Sequence, residues 1–243
     1  MVIPAYNEES FLPLCLDGLK KQTFRDFEII VVAGGQDDTA AVARKFKAVV
    51  IPQTEKSITG SRQKGFEAAG GDIIASTDAD TLLPENWLER IEELFQQHPE
   101  AVAVAGHFQL YDGPAFVRFW IGVSLNLMPV ILKVAPGIWN FGGFNFAVKK
   151  EIFEKIGGFD MDRDFGEDVD LCRRLKKTGK VMFDRSMVVR ASGRAFLNDR
   201  FGLKNLANYL SMLVRGKPSL TVVHGSDITN NLKVKNKNVP TPP

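Results

Sequence analysis

Hydrophobic residues in the first half of the chain fall into short blocks separated by longer stretches of mixed periodicity. Phe27-Glu28-Ile29-Ile30-Val31-Val32-Ala33 is almost continuously apolar, the pattern of a strand buried on both faces. Ala48 to Ile51, Asp72 to Thr77 and Ala101 to Phe108 read the same way, and Met1 to Ala5 is a clipped first strand. Between these blocks the spacing predicts helices over Glu9–Lys21, Asp38–Lys47, Thr59–Ala69 and Glu85–Gln97. Asp38 fits the N-cap of one of them, and Pro84 fits the first turn of the last. Strands alternating with helices predict an α/β domain whose mostly parallel sheet is covered on both faces. Ligands of such sheets bind at the carboxyl ends of the strands.

Two later stretches have a different character. Residues 116–135, FVRFWIGVSLNLMPVILKVA, are the most apolar part of the chain, but their longest charge-free run, Phe119 to Leu132, is 14 residues. That is short of the roughly 20 needed to cross a bilayer, which leaves a buried or an interfacial helix. In RFGLKNLANYLSMLVRGK, Leu203, Leu206, Leu210 and Leu213 share one face, opposite Lys204, Asn205, Asn208, Ser211 and Arg215. This amphipathic C-terminal helix fits either docking on the domain or lying on a membrane surface. The closing NKNVPTPP is expected to be loose.

Composition narrows the class. With 243 residues, 44% hydrophobic and 25% charged, the chain has room for one large domain and is neither disordered nor collagen-like. Its 18 Phe predict a core rich in aromatic rings. Two cysteines, Cys15 and Cys172, make no disulfide framework and fit a reducing compartment. No basic-plus-apolar leader precedes Pro4, so the expected location is cytoplasmic. From Arg190 onward there are nine Lys/Arg and two Asp/Glu, a net of +7, against 22 basic and 27 acidic residues before it. A basic tail on an acidic body points to an anionic membrane surface, on the cytoplasmic face, rather than to nucleic acid.

Three acidic or aromatic clusters carry candidate chemistry. Asp78-Ala79-Asp80 follows the apolar run Ile73-Ile74-Ala75, so its carboxylates stand where a strand ends. They suit either a turn or a hard cation shared with a phosphate-bearing substrate. Gly166-Glu167-Asp168 opens a helical stretch, Val169–Lys177, where a carboxylate either caps the helix or serves as a general base. Pro4-Ala5-Tyr6-Asn7-Glu8-Glu9 joins the first strand to the first helix and offers an aromatic face, again at a carboxyl end. Gly34-Gly35 permits close backbone approach, without the spacing of a dinucleotide or P-loop fingerprint.

In this order the pieces resemble glycosyltransferase family 2, inverting enzymes with the A-type (Rossmann-like) glycosyltransferase fold. The resemblance rests on PAYNEE (4–9), FEIIVVAGGQDDT (27–39), SRQKGFEAAGGDIIASTDAD (61–80), NFGGFNFAVKKEIFEKIGGFD (140–160) and GEDVDLCRRLKKTGK (166–180). It covers roughly residues 1–190, and implies a nucleotide-binding half over 1–110, an acceptor-binding half over 111–190, and a basic amphipathic tail over 191–243. It further implies that Pro4, Ala5, Tyr6, Glu8 and Arg62 line the nucleotide pocket. Asp78 would face the ribose or the metal, and Asp80 would ligate a divalent cation, Mn²⁺ or Mg²⁺, on the diphosphate. Gly142, Gly143, Asn145 and Glu167 would shape the sugar and acceptor pocket, and Asp168 would be the catalytic base. The implied partners are a UDP- or GDP-sugar donor and a glycan or lipid-linked acceptor.

Two positions depart from the pattern. Ala33-Gly34 stands where many members carry an Asp pair that reads the base, leaving Asp37 or Asp38 as substitutes. The region VVRASGRAF lacks the metal-binding His common after the catalytic helix, and His98, His107 and His224 lie elsewhere. Two other readings are a sugar-phosphate nucleotidyltransferase, which would want a Gly-rich basic loop where PAYNEE is acidic, and a non-catalytic nucleotide-sugar-binding or membrane-associated protein.

Overall fold

A computed structural model of the chain describes residues 1–113, 115, 116, 118–120, 122, 123, 142–163, 166–194 and 211. The apolar blocks become strands of one sheet: β1 (Val2–Tyr6), β2 (Ile30–Gly34), β3 (Val49–Gln53), β4 (Ile73–Ser76), β5 (Thr81–Leu82), β6 (Ala101–Leu110), β7 (Phe146–Lys149) and β8 (Lys180–Ala191). Their order is β3-β2-β1-β4-β7-β6-β8-β5. The β3-β2-β1-β4 run is parallel, as is β6 with β8, whereas β7 runs antiparallel between β4 and β6, and β5 antiparallel on β8. This is the mostly parallel mixed sheet that the alternation predicts. On it pack α1 (Leu12–Lys20), α2 (Thr39–Lys45), α3 (Ile58–Ala68), α4 (Trp87–Gln97), α5 (Lys150–Lys155) and α6 (Glu167–Leu175).

The apolar runs are continuous because successive side chains enter two different layers. Ile3 and Val31 point toward Leu12, Leu16, Leu19, Trp87, Ile91 and Leu94 on α1 and α4. Val2, Ile30, Val32 and Ile74 point the other way, toward Phe66, Phe153, Phe159, Leu171 and Leu175. The expected aromatic core is found in this second layer: the Phe66 ring lies 4.8, 5.2 and 5.9 Å from those of Phe153, Phe159 and Phe146. Each such buried side chain stabilises the fold by about 1.5–3 kcal/mol relative to exposure.

Local details correct several expectations. The ladder of β2 begins only at Ile30; Phe27 and Ile29 pack on the core from the segment before it, where the Ile29 carbonyl accepts the Val49 N–H at 2.8 Å. Asp38 holds the N-cap position of α2 but makes no cap bond. The Thr39 N–H and hydroxyl donate to Asp37 instead, and Asp37 also accepts the Glu9 N–H at 3.1 Å. Pro84 precedes α4 rather than entering its first turn: its carbonyl accepts the Trp87 N–H and the Gln22 side-chain amide. β8 continues past the expected domain edge at 190, since Ala191 pairs with Thr81 and Arg190 with Leu82. The tail helix and residues 124–135 lie outside the described residues. No helix among the described residues is long and apolar enough to cross a membrane.

Candidate active site

The strand order reverses its direction of growth at β1, with β2 on one side and β4 on the other, so the carboxyl ends of β1 and β4 flank a crevice. A cavity of 340 Å³ opens there, lined by Pro4, Ala5, Tyr6 and Glu8 after β1, by Asp78, Ala79 and Asp80 after β4, and by Lys56, Ser57, Ile58 and Ser61 around the start of α3. Phe108, Leu110, Phe144, Ala191, Ser192 and Arg194 close its far side. Asn7 turns the chain out of β1 with φ 57°, a left-handed conformation that Asn tolerates, and its Oδ1 accepts the Gln36 N–H at 2.8 Å. Tyr6 then lies against Gly34, where a Cβ would stand 2.8 Å from the Tyr6 ring and 2.7 Å from the Gln53 carbonyl. Glycine at 34 therefore makes room for the aromatic ring, and the Asp expected of relatives has no space there. The Asp37 carboxylate accepts from the Glu9 and Thr39 N–H groups and from the Thr39 hydroxyl at the start of α2.

Two arginine-centred clusters organise the carboxylates. Arg62, buried on α3, donates from Nη2 to Asp78 Oδ1 at 2.7 Å and from Nη1 to Glu167 Oε1. Gly143 packs directly on this guanidinium, so that any Cβ would strike it. The Gly143 N–H donates to Asp168 Oδ2 at 3.0 Å, and its carbonyl accepts Ser76 Oγ at 2.8 Å. In the second cluster Arg194, also buried, reaches Asp80 Oδ2 from Nε at 2.8 Å and Glu8 Oε1 from Nη2 at 2.5 Å. Asp78 is felt electrostatically by Glu8 and Asp80 on one side and by Arg62, Glu167 and Asp168 on the other. Asp78 thus sits on Arg62, Asp80 on Arg194, and Asp168 on the Gly143 N–H beside the Arg62 guanidinium.

Burial dominates the electrostatics. It pushes Glu167 up to about 7 against the pull of Arg62, with Asp168 and Asp78 adding to the rise. Glu8 is likewise pushed up to about 7 by burial, against Arg194. Asp80 and Asp168 are raised for the same reason, opposed by Arg194 and by Arg62 respectively. Asp168 holds two backbone N–H groups, those of Gly143 and, at 2.7 Å, Val169, so it does cap the first turn of α6. Its half-buried carboxylate also stands beside the Arg62 charge, an arrangement open to proton transfer.

Other residues fall differently from their sequence reading. Asn145 sits in the expected loop, but its side chain is turned inward. Its Oδ1 accepts the Trp87 indole N–H at 2.8 Å, and its amide donates to the carbonyls of His107 and Met187. Gly142 and Gly143 lead into this loop, with Gly143 rather than Gly142 touching the charged cluster. His98 pairs with Glu100 at 3.6 Å and His107 lies on β6, neither lining the cavity, while His224 is outside the described residues. Arg194 is the residue that sequence reasoning missed, although it lies in VVRASGRAF, the stretch noted for lacking a histidine.

No three His, Cys, Asp or Glu side chains among the described residues form a ready-made cation cage. The chemistry of the donor set nevertheless fits a hard cation. Five carboxylates (Glu8, Asp78, Asp80, Glu167, Asp168) face two guanidiniums, and Glu8 Oε2 is buried with no hydrogen-bond partner. Such a set suits a cation that takes its remaining oxygens from phosphate and water.

Comparison with known proteins follows the same line. Residues 1–157 match the family model described as glycosyl transferase family 2. The chain is 22% identical over 249 residues to glycosyltransferase GlyG of Streptococcus pneumoniae, covering 94% of this chain and 82% of that protein. In fold it resembles the mannosyltransferase PcManGT of Pyrobaculum calidifontis, solved with GDP-Man and Mn²⁺ (TM-score 0.67, 16% identity, 99% of this chain and 76% of that one). It also resembles glucosyl-3-phosphoglycerate synthase of Mycobacterium tuberculosis, solved with Mn²⁺, UDP and phosphoglyceric acid (TM-score 0.67, 16% identity, 88% of this chain and 76% of that one). Other matches are longer proteins, of which the chain spans 53% and 43%.

Proposed function

The chain belongs to glycosyl transferase family 2 and is a glycosyltransferase; on that premise we propose that it moves a sugar from a UDP- or GDP-sugar to an acceptor hydroxyl with inversion at the anomeric carbon. The observation that supports this reading is the Arg62 bridge: its guanidinium holds Asp78 of the cavity wall and Glu167, the neighbour of Asp168 on α6, while Gly143, packed on that guanidinium, donates its N–H to Asp168. Tyr6 offers its face to the base, with the Lys56 ammonium 5.8 Å from the ring centre. Asp78 and Asp80 would hold Mn²⁺ or Mg²⁺, which, when bound, neutralises charge on the departing diphosphate.

Asp168 acts as the general base. The N–H groups of Gly143 and Val169 orient its carboxylate and favour its ionised form, while burial raises its proton affinity toward what the task needs. The acceptor oxygen loses its proton to Asp168 as it attacks the anomeric carbon on the face opposite the diphosphate, and the C–O bond to phosphate breaks in the same displacement. Arg62 keeps Glu167 and Asp78 in place beneath the sugar. The test is Asp168→Asn, which is expected to keep donor binding within about threefold and to lower turnover at least about a hundredfold, the usual worth of such a base. Turnover near that of the wild type would remove Asp168 from the chemistry.

For the acceptor, the exposed rings of Phe116, Phe119 and Trp120 support a lipid-linked hydroxyl, or a glycan built at the cytoplasmic face of a membrane. The protein is expected to sediment with anionic liposomes, and Phe119→Ser with Trp120→Ser to weaken this. Unchanged sedimentation would take these rings out of membrane contact.

A further inference from the structure

Arg194 occupies a position that the donor chemistry alone does not explain. It bridges Asp80 and Glu8, both on the cavity wall, and its guanidinium carbon lies 4.4 Å from the Phe11 ring centre. The turn that delivers it is anchored: the Ser192 hydroxyl donates to Asp112 Oδ2 at 2.9 Å, and the Gly193 N–H donates to Asp112 Oδ1. The side chain is thus a built part of the site, seated on an Asp80 oxygen, Oδ2, that a cation would draw on.

Resting on the donor reading above, we infer that Arg194 is the resident counter-ion of Asp80 and Glu8, and that it yields Asp80 to a divalent cation only when a diphosphate arrives to receive the guanidinium. A guanidinium and a metal ion draw on the same carboxylate electrons, so the two compete for Asp80. A cation arriving alone would strand a buried arginine beside like charge, which is costly. A cation arriving with a diphosphate gives the guanidinium new oxygens in the planar, two-pronged geometry it prefers. Cation and nucleotide therefore load cooperatively, and Arg194 sets the strength of that coupling.

The experiment measures Mn²⁺ binding to the full chain directly, from the electron paramagnetic resonance signal of unbound aqueous Mn²⁺, with and without UDP or GDP. Wild type is expected to bind Mn²⁺ alone weakly, and at least about tenfold more tightly with a nucleoside diphosphate, a coupling of about 1.4 kcal/mol. Arg194→Gln is expected to bind Mn²⁺ alone about tenfold more tightly than wild type and to lose most of the nucleotide enhancement. Asp80→Asn is expected to weaken Mn²⁺ binding in both conditions. Mn²⁺ affinity in Arg194→Gln equal to or below that of wild type overturns the inference. If Arg194→Gln fails to fold, Arg194→Lys serves, because an ammonium lacks the fork needed to hold both carboxylates: about threefold tighter Mn²⁺ binding supports the idea, and no gain overturns it. Should neither UDP nor GDP bind wild type, the donor reading fails, and the comparison with Mn²⁺ alone still decides the role of Arg194.

Discussion

Glu167 is the place where burial and ion pairing can be weighed against each other. Its carboxyl is pushed up to about 7 from an ordinary 4.5, burial outweighing the Arg62 guanidinium. A carboxyl raised in the folded state favours folding in its protonated form. That contribution is complete below about 4.5 and is lost as the pH climbs through about 7. Glutamine mimics the protonated group without titrating, so Glu167→Gln should differ least from wild type at pH 5, the low end of the series. By pH 8 wild type carries the cost of a buried charge over the 2.5 units between 4.5 and 7, about 3 kcal/mol at about 1.4 kcal/mol per unit. The variant does not, and should be more stable by up to that amount, a rise in Tm of about 6–12 °C for a domain of this size. Urea midpoints of both proteins at pH 5, 6, 7 and 8, in chelator and without nucleotide, provide the comparison. Glu8 titrates in the same range but is present in both, so the difference reports Glu167 together with the carboxylates it interacts with, Asp168 foremost. A variant that is less stable at pH 8, or whose pH slope parallels that of wild type, would show that the Arg62 pair outweighs burial and would refute the reasoning.

The other predictions concern positions where the sequence alone points elsewhere. Gly34→Asp, which restores the residue type of many relatives, should weaken UDP or GDP binding by about tenfold, because a side chain there evicts the Tyr6 ring and costs one base-stacking contact of about 1–3 kcal/mol; titration calorimetry showing equal or tighter binding would contradict this. Asn145→Leu strands the Trp87 indole N–H and two carbonyls in the core. At about 1–3 kcal/mol for each unsatisfied group it should lower stability by at least about 3 kcal/mol, and an unfolding midpoint within about 1 kcal/mol of wild type would count against it.

β1, β2 and β4 were legible because they are buried on both sides, which turns them into unbroken apolar runs such as Ile29 to Ala33; β3, read from Ala48 to Ile51 as the same kind of strand, is instead the sheet edge, with Val49 exposed. β7 and β8 were not legible. β7 is only four residues long, and β8 carries Asp184, Arg185 and Ser186 in its middle, where its register with β6 shifts between Gly106 and His107. The acidic side chains of the site could be read from the order of their motifs, since each lies near a strand or helix end that the pattern marks. What holds them could not. Arg194 meets Glu8 across 186 positions and has no local pattern to announce it. Asn145 was placed in the right loop, but whether an amide faces ligand or indole depends on Trp87, 58 positions away. Asp37 and Asp38 differ by one place along the chain, and only the path of the turn decided which of them caps α2.

The pairing of β5 with β8 has a consequence for the order of synthesis. Asp78 and Asp80 leave the ribosome early, yet the strand that fastens their loop, Thr81–Leu82, bonds to Arg190 and Ala191. The entry to that loop is fixed early, by β4 on β1 and by the Thr77 N–H on the Val2 carbonyl, but its exit at Thr81–Leu82 waits through more than a hundred further residues for its partner strand. Trimming the gene at residue 157, where the family match stops, would leave the exit of that loop without its strand partner.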